Sequence, residues 1–202
     1  MLLAGDAARA DRRVSPSPDS PRPLLDADEL AAIARRLGGE IRRDYPDGVV
    51  MVALLKGSVF FLADLVRELP VRCELDFLAL SAYGDGRTRV RVVKDLDIEV
   101  AGRDVIVVLD IVDTGLTLAY LLRMIALRGA RSTVACALLD RQSRRLLPVE
   151  IRYVGHVISN EHVVGYGLDL DERYRNLSGL QIPDPADLAG EPTAMFERLA
   201  RR

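Results

Sequence analysis

The sequence predicts an α/β domain built on a mostly parallel β-sheet flanked by helices. Three observations carry this expectation. Val- and Leu-rich runs of strand length recur at Val49–Leu55, 74–82, 105–109 and 133–139, and continuous apolar runs suit strands covered on both faces, as in parallel sheets. Segments of helical length separate them, and strands alternating with helices build parallel βαβ units. The 202 residues, 49% of them hydrophobic, suit one domain with a sizeable core.

Residues 1–22 are rich in Pro, Ser, Asp and Arg; the stretch Ser15-Pro16-Ser17-Pro18-Asp19-Ser20-Pro21 cannot build a core and predicts a disordered tail. Asp26 reads as a helix N-cap with Glu29 completing a capping box. Leu30, Ile33, Ala34, Leu37 and Ile41 then repeat at helical spacing. Pro46-Asp47-Gly48 is a turn. Strand 49–55 is followed by a helix over 58–69 and a strand over 74–82. A third strand over 105–109 ends in acidic residues, an apolar helix over Leu116–Leu127 closes on Gly129, and a fourth strand covers 133–139. The folded domain is expected over 23–185. Residues 186–202 form a Pro/Asp/Ala-rich tail with a short helix near Met195. No internal repeat is visible.

A net charge of -2 argues against a nucleic-acid partner. No apolar run approaches the ~20 residues that span a membrane. Met1-Leu2-Leu3-Ala4 is broken at once by Gly5 and Asp6, unlike a secretory signal. A cytoplasmic protein is expected. Cys73 and Cys136 lie in apolar, β-like segments and predict buried structural thiols. His156 and His162 lack a carboxylate or Cys cluster at ligand spacing, so no zinc site is expected.

The chemistry concentrates in Leu109-Asp110-Ile111-Val112-Asp113-Thr114-Gly115-Leu116-Thr117. A buried strand stops at Asp110, and a short loop, 113–117, enters a helix. Ligands of open α/β sheets bind outside the carboxyl ends of strands. The helix N-terminus offers free N–H groups and a positive dipole end. Thr114 and Thr117 add hydroxyls, and Gly115 admits close backbone approach. That is a phosphate cradle. The carboxylates of Asp110 and Asp113 repel phosphate and need other partners: sugar hydroxyls, a base N–H or Mg²⁺. Phosphate on one side and a diol on the other describe ribose 5-phosphate.

This string resembles the phosphoribosyl pyrophosphate (PRPP) signature of phosphoribosyltransferases. Three further segments resemble the hypoxanthine-guanine branch: Leu55-Lys56-Gly57; Tyr83-Gly84-Asp85-Gly86 with Lys94-Asp95-Leu96-Asp97; and Val163-Val164-Gly165-Tyr166-Gly167-Leu168-Asp169 with Glu172-Arg173-Tyr174-Arg175-Asn176-Leu177. The resemblance spans roughly residues 24–182. It implies the type I phosphoribosyltransferase fold with a small hood subdomain, transfer from PRPP to a purine, a homodimer or homotetramer, and Mg²⁺ held by Asp110 and Asp169. It implies that Asp110 holds ribose hydroxyls and that Asp113, near purine N7, is the general base or proton shuttle. Thr114, Gly115, Leu116 and Thr117 form the 5-phosphate loop. Lys56 and Gly57, after a cis Leu-Lys bond, meet pyrophosphate, as does Arg175. Arg141, His162, Val163 and Asp169 surround the purine. Ala82 and Tyr83 begin a loop that closes over the substrates.

Four positions depart from the family pattern. Leu109 replaces the first acid, removing one ribose contact; Ala82 replaces a Ser; Arg141 stands for the Lys facing the purine 6-oxygen; His162 stands for a stacking aromatic. Arg141 still donates to a carbonyl, and its planar fork suits O6 and N7 together; the competing reading makes Arg141, Arg144 and Arg145 a solvated basic face. Hypoxanthine or guanine is the expected acceptor. Xanthine or an unusual purine, or a PRPP- or nucleotide-sensing regulator on this scaffold, are the alternatives.

Overall fold

A computed structural model describes residues 22–83 and 89–183. In chain order these form β1 (Arg22–Leu25), α1 (Ala27–Asp44), β2 (Val49–Leu55), α2 (Ser58–Arg67), β3 (Cys73–Tyr83), β4 (Arg89–Lys94), β5 (Asp104–Val112), α3 (Leu116–Leu127), β6 (Ser132–Asp140), a 3₁₀ turn (Gln142–Arg144), β7 (Tyr153–Val157) and β8 (Leu180–Ile182). The main sheet has the order β4-β3-β2-β5-β6-β7. Strands β3, β2, β5, β6 and β7 run parallel, and β4 pairs antiparallel with β3.

Helix α1 starts as its sequence dictates. Asp26 Oδ1 accepts from Glu29 N at 2.8 Å, and Asp26 N donates back to Glu29 Oε2 at 2.9 Å. Leu30, Ile33, Ala34, Leu37 and Ile41 are all buried. Leu30, Ile33, Leu37 and Ile41, with Phe61, Leu62 and Leu65 of α2, pack against Met51, Ala53, Ile106, Val108 and Leu138 on one face of the sheet. Leu118, Leu121 and Ile125 of α3 cover the other face, against Val50, Val52, Val107 and Leu109. α2 stops at Arg67, two residues short of the expected end. Pro70 follows Leu69, and the residue before a proline disfavours helical backbone.

β5 runs three residues beyond its predicted end, because β6 extends the ladder with it: Ile111 pairs with Leu139 and Val112 with Asp140. Asp110 is therefore a strand residue near the carboxyl end of the sheet. Arg22, assigned to the tail by composition, begins β1, which pairs with β8 in a separate two-stranded sheet. Together with a cluster of Val164, Tyr174 and Leu177 this pair builds the small hood. Cys136 is buried, but Cys73, the first residue of β3, is only half-buried, and burial pushes its thiol up to about 11. Both thiols are free. The terminal stretches 1–21 and 184–202, including the helix expected near Met195, lie outside the described residues.

Candidate active site

The chain leaves β2 through α2 toward β3 on one side and leaves β5 through α3 toward β6 on the other. The loops after β2 and β5 thus diverge at one crevice, the topological switch point where open α/β sheets bind ligands. Lys56-Gly57 lies on one wall and Asp113–Thr117 on the other.

The β2 wall is tightly packed. The Leu55–Lys56 peptide is cis, as the resemblance implies. Gly57 is buried, and a Cβ there would stand 1.6 Å from Asp110 Oδ2, so the Asp110 carboxylate occupies the space that a side chain would need. Likewise a Cβ on Gly167 would stand 2.0 Å from the Gly57 carbonyl, which seats the hood on this loop. Burial raises the Asp110 carboxyl above its ordinary value; the charge of Arg175 opposes this and that of Asp169 adds to it. Arg175 donates to Gly167 O at 2.7 Å and pairs with Asp169 at 2.9 Å and Glu172 at 3.3 Å. Its buried Nε has no partner among the described residues. Lys56 Nζ is exposed and pairs with Glu172 Oε2 at 2.8 Å. Glu172 N donates to Asp169 Oδ2 at 2.9 Å. Among the described residues no group of three or more His, Cys, Asp or Glu side chains is arranged to hold a metal ion.

On the β5 wall a cavity of about 170 Å³ is lined by Leu54, Leu109, Asp113, Thr114, Gly115 and Thr117, among others. Gly115 takes the left-handed conformation, φ +83°, as N-cap of α3, a conformation other residues adopt only at a cost. Ala119 N donates to Gly115 O, and Leu116 N reaches Thr114 Oγ1 at 3.4 Å. Arg141 is 5% exposed, which rules out a solvated basic face at this residue. Its NH1 contacts both Asp113 carboxylate oxygens, at 2.8 and 3.0 Å, and its NH2 donates to Glu161 O. Of the five N–H groups of a guanidinium, this leaves one on NH2 and the buried, unpartnered Nε. The open fork expected for O6 and N7 together is thus partly spent on Asp113. Arg144 stands 3.9 Å from Asp113. Arg145, also expected on a basic face, is instead largely enclosed and pairs with buried Asp140.

The remaining expected residues separate. Val163 is buried and His162 exposed, both just beyond the Glu161 carbonyl that Arg141 binds. Leu109 is 3% exposed in the apolar cluster beneath α3 and floors the cavity; the pocket is built around leucine rather than lacking an acid in open space. Ala82 and Tyr83 end β3, and the loop they enter, 84–88, lies outside the described residues. The stretch Lys94-Asp95-Leu96-Asp97, expected in that loop, is a hydrogen-bonded anchor. Lys94 Nζ binds Asp76, Phe77 O, Asp95 O and Asp97, and buried Asp76 accepts from the amides of Asp97 and Ile98. Asp140, Glu172 and Arg145 have no individual site role from sequence: Asp140 only ends an apolar strand, Glu172 only opens a motif, and Arg145 reads as surface.

A larger cavity, about 330 Å³, opens at the opposite end of the sheet. Its arginines pair with its acids, Arg103 and Arg72 with Glu74 and Arg131 with Asp104, and no residue of the β2 or β5 loops described above reaches it.

A domain family described as phosphoribosyl transferase matches residues 23–171. A hypoxanthine-guanine phosphoribosyltransferase of Mycobacterium avium is 44% identical over 172 residues, covering 80% of this chain and 85% of its own. A crystal structure of a hypoxanthine-guanine phosphoribosyltransferase from Bacillus anthracis superposes with TM-score 0.76 at 36% identity, covering 79% of this chain and 96% of that one. A hypoxanthine phosphoribosyltransferase of Trypanosoma cruzi gives TM-score 0.81 at 33% identity over 87% of this chain and 97% of its own.

Proposed function

The chain belongs to the phosphoribosyl transferase family, and on that premise we propose that it transfers the phosphoribosyl group of PRPP to a 6-oxopurine, hypoxanthine or guanine. The products are the nucleoside 5′-monophosphate and pyrophosphate. The observation that carries this reading is the juxtaposition, at one crevice, of the Lys56-Gly57 loop, the Asp110 carboxylate packed on it and the Asp113–Thr117 loop. The names of the mycobacterial and Bacillus relatives agree with it.

The residues divide the work by charge. Thr114, Gly115, Leu116 and Thr117 take the 5-phosphate at the start of α3. Lys56, Gly57 and Arg175 face pyrophosphate, and Asp110 takes ribose hydroxyls. The purine nitrogen attacks the anomeric carbon as the bond to pyrophosphate oxygen breaks, and pyrophosphate leaves with the electron pair. Asp113 receives the hydrogen bond or proton of the imidazole edge. Arg141 orients Asp113 and offers its remaining NH2 hydrogen to the 6-oxygen; Val163 and His162 border the base. Asp110 and Asp169 would hold Mg²⁺, which takes one or two carboxylates and otherwise water and substrate phosphates; it would supply stabilisation of the charge on the departing pyrophosphate.

Leu109, which with Ala82 favoured the sensing alternative, packs in the core and also lines the cavity. Pyrophosphate release from PRPP and Mg²⁺ with hypoxanthine, guanine, xanthine and adenine tests the proposal. Turnover with hypoxanthine and guanine but not adenine is expected, since an adenine amino group meets Arg141 donor to donor. Turnover with adenine alone, or with no base, overturns it. Light scattering reads the homodimer or homotetramer that the family resemblance implies.

A further inference from the structure

The amides of a phosphate-binding loop must face the ligand before it arrives, and something outside the loop has to turn them. A peptide unit is planar and trans, so its C=O and N–H point in opposite directions. Fixing the carbonyl of one residue therefore fixes the direction of the next residue's amide. Two successive carbonyls of the signature loop are tied down from the side away from the cavity. The Asp113 carbonyl accepts from Arg145 Nε at 3.0 Å. The Thr114 carbonyl accepts from Leu146 N at 2.9 Å and Leu147 N at 3.1 Å. The Thr114 and Gly115 amides are thereby turned the other way, and neither finds an acceptor among the described residues. Thr114 and Gly115 line the cavity.

Arg145 is itself held. Its NH2 pairs with the Asp140 carboxylate at the end of β6, which is buried and accepts from Gln142 Nε2 at 3.1 Å. Its stem packs on the loop, since a Cβ on Gly115 would meet Arg145 Cδ at 3.0 Å and the Leu147 carbonyl at 2.8 Å. One guanidinium thus joins a buried carboxylate on the sheet to a carbonyl of the loop.

We propose that Arg145 is a positioning residue for the 5′-phosphate: anchored by Asp140, it holds the Asp113–Thr114 peptide so that the Thr114 amide faces the phosphate. The inference rests on the phosphate-loop reading above. Arg145 touches no substrate. Its effect is expected to be selective for ligands that carry a 5′-phosphate, because the loop amides are assigned to that phosphate.

Arg145→Lys separates this role from bulk stability. Lysine keeps a cation beside Asp140 but lacks the planar fork that serves Asp140 and the Asp113 carbonyl together. Calorimetric titrations of wild type and variant with inosine 5′-monophosphate and with inosine read the result. The monophosphate Kd is expected to rise about three- to tenfold, the range of one hydrogen bond, while the inosine Kd stays within about twofold. Equal losses for both ligands, or none for either, overturn the proposal. If the wild type binds the monophosphate no better than inosine, the phosphate-loop reading itself fails, a distinct outcome. A measurement free of variant folding uses the wild type: inorganic phosphate is titrated while the Thr114 and Gly115 amide resonances are followed. Both are expected to shift; unmoved resonances at saturating phosphate mean that the phosphate-loop reading fails, and the inference falls with it.

Discussion

Gly57→Ala adds one methyl group at the point where the two walls of the crevice meet. Gly57 has φ −61°, so alanine carries no backbone penalty and the effect is purely one of contact. The new Cβ stands 1.6 Å from Asp110 Oδ2 and 2.7 Å from its Cγ. Reaching 3.0 Å, below which real Cβ contacts essentially never occur, demands about 1.4 Å of movement. Asp110 cannot swing away without loss, because its Oδ1 accepts from Ile111 N at 2.8 Å and its backbone lies in the β5–β6 ladder. Overpacking of this kind costs about 1–3 kcal/mol, and each kcal/mol lowers Tm by about 2–4 °C in a domain of this size. A misplacement near 1 Å in an active site costs about 10²-fold in rate. Steady-state kinetics with PRPP and base varied separately, alongside thermal melts, measure both effects. The expected result is a fall in kcat/KM for PRPP far larger than the stability loss implies. Gly39→Ala is the control: it lies in α1 with nothing within 4 Å of its Cβ. Alanine there gains roughly 1 kcal/mol, raising Tm and leaving kinetics unchanged. If Gly57→Ala keeps kcat/KM for PRPP within about threefold, Asp110 does not work from the position the structure gives it.

Asp113→Asn is expected to lower kcat by about 10²–10⁴-fold for every accepted base; a loss under about threefold in steady-state assays removes Asp113 from the proton-handling role. Glu172→Gln frees Lys56 and removes one of the two carboxylates paired with Arg175, which keeps Asp169. Glu172 is exposed and its pairs are weak, so pyrophosphate should bind up to about fivefold tighter by calorimetry, and weaker binding contradicts the assigned role of the two cations. Leu109→Glu puts a carboxylate into an apolar cluster and should cost about 3 kcal/mol or more, with no gain in PRPP affinity; a folded variant that binds PRPP more tightly disproves the buried placement. Asp76 titrates below its ordinary value of 3.8: burial pushes it up, but the amides of Ile98, Phe77 and Asp97 and the Lys94 ammonium outweigh burial. Its folded pKa being the lower one, its contribution is complete above about pH 4 and is lost as pH falls through the folded value. Urea titrations should show Asp76→Asn less stable at pH 7 and less sensitive to acid than the wild type.

The central strands, the three long helices and the loop chemistry were legible because their signals are local. Apolar runs mark β2, β3, β5 and β6, the Asp26–Glu29 box marks the start of α1, and the string from Asp110 to Thr117 carries its own phosphate logic. The four other strands were not legible, for different reasons. β1 and β8 are four and three residues long and pair with each other across most of the chain. β4 shows alternation in Arg89-Val90-Arg91-Val92 but sits beside a motif that drew it into a loop. β7 is an edge strand of mixed burial. The sequence reads Arg141 first as a purine contact and only in the competing reading as surface. Asp140, Arg141 and Arg145 fall in a run of charges, and such residues are seldom buried unless paired. Their burial is decided by partners at 113 and 140 and by a carbonyl at 161, information that no local window contains.

The pairing of those charges bears on how a protein of net charge -2 receives a polyanion. Three of the cations assigned to ligand, Lys56, Arg175 and Arg141, already hold a carboxylate: Glu172, Asp169 with Glu172, and Asp113. The resting site is thus close to neutral, and no assigned cation stands alone in a buried crevice, where a lone charge is costly. On the proposed assignment, ligand phosphates would exchange partners with these cations instead of meeting bare ones, and the exchange would be uneven. Arg141 is almost fully buried and bound at three points, so it would stay with Asp113 while the base is oriented. Lys56 and Glu172 are about two-thirds exposed, so their pair is weak and would yield to pyrophosphate. The proposal thus sets rigid charge where the base would be oriented and yielding charge where the product would leave.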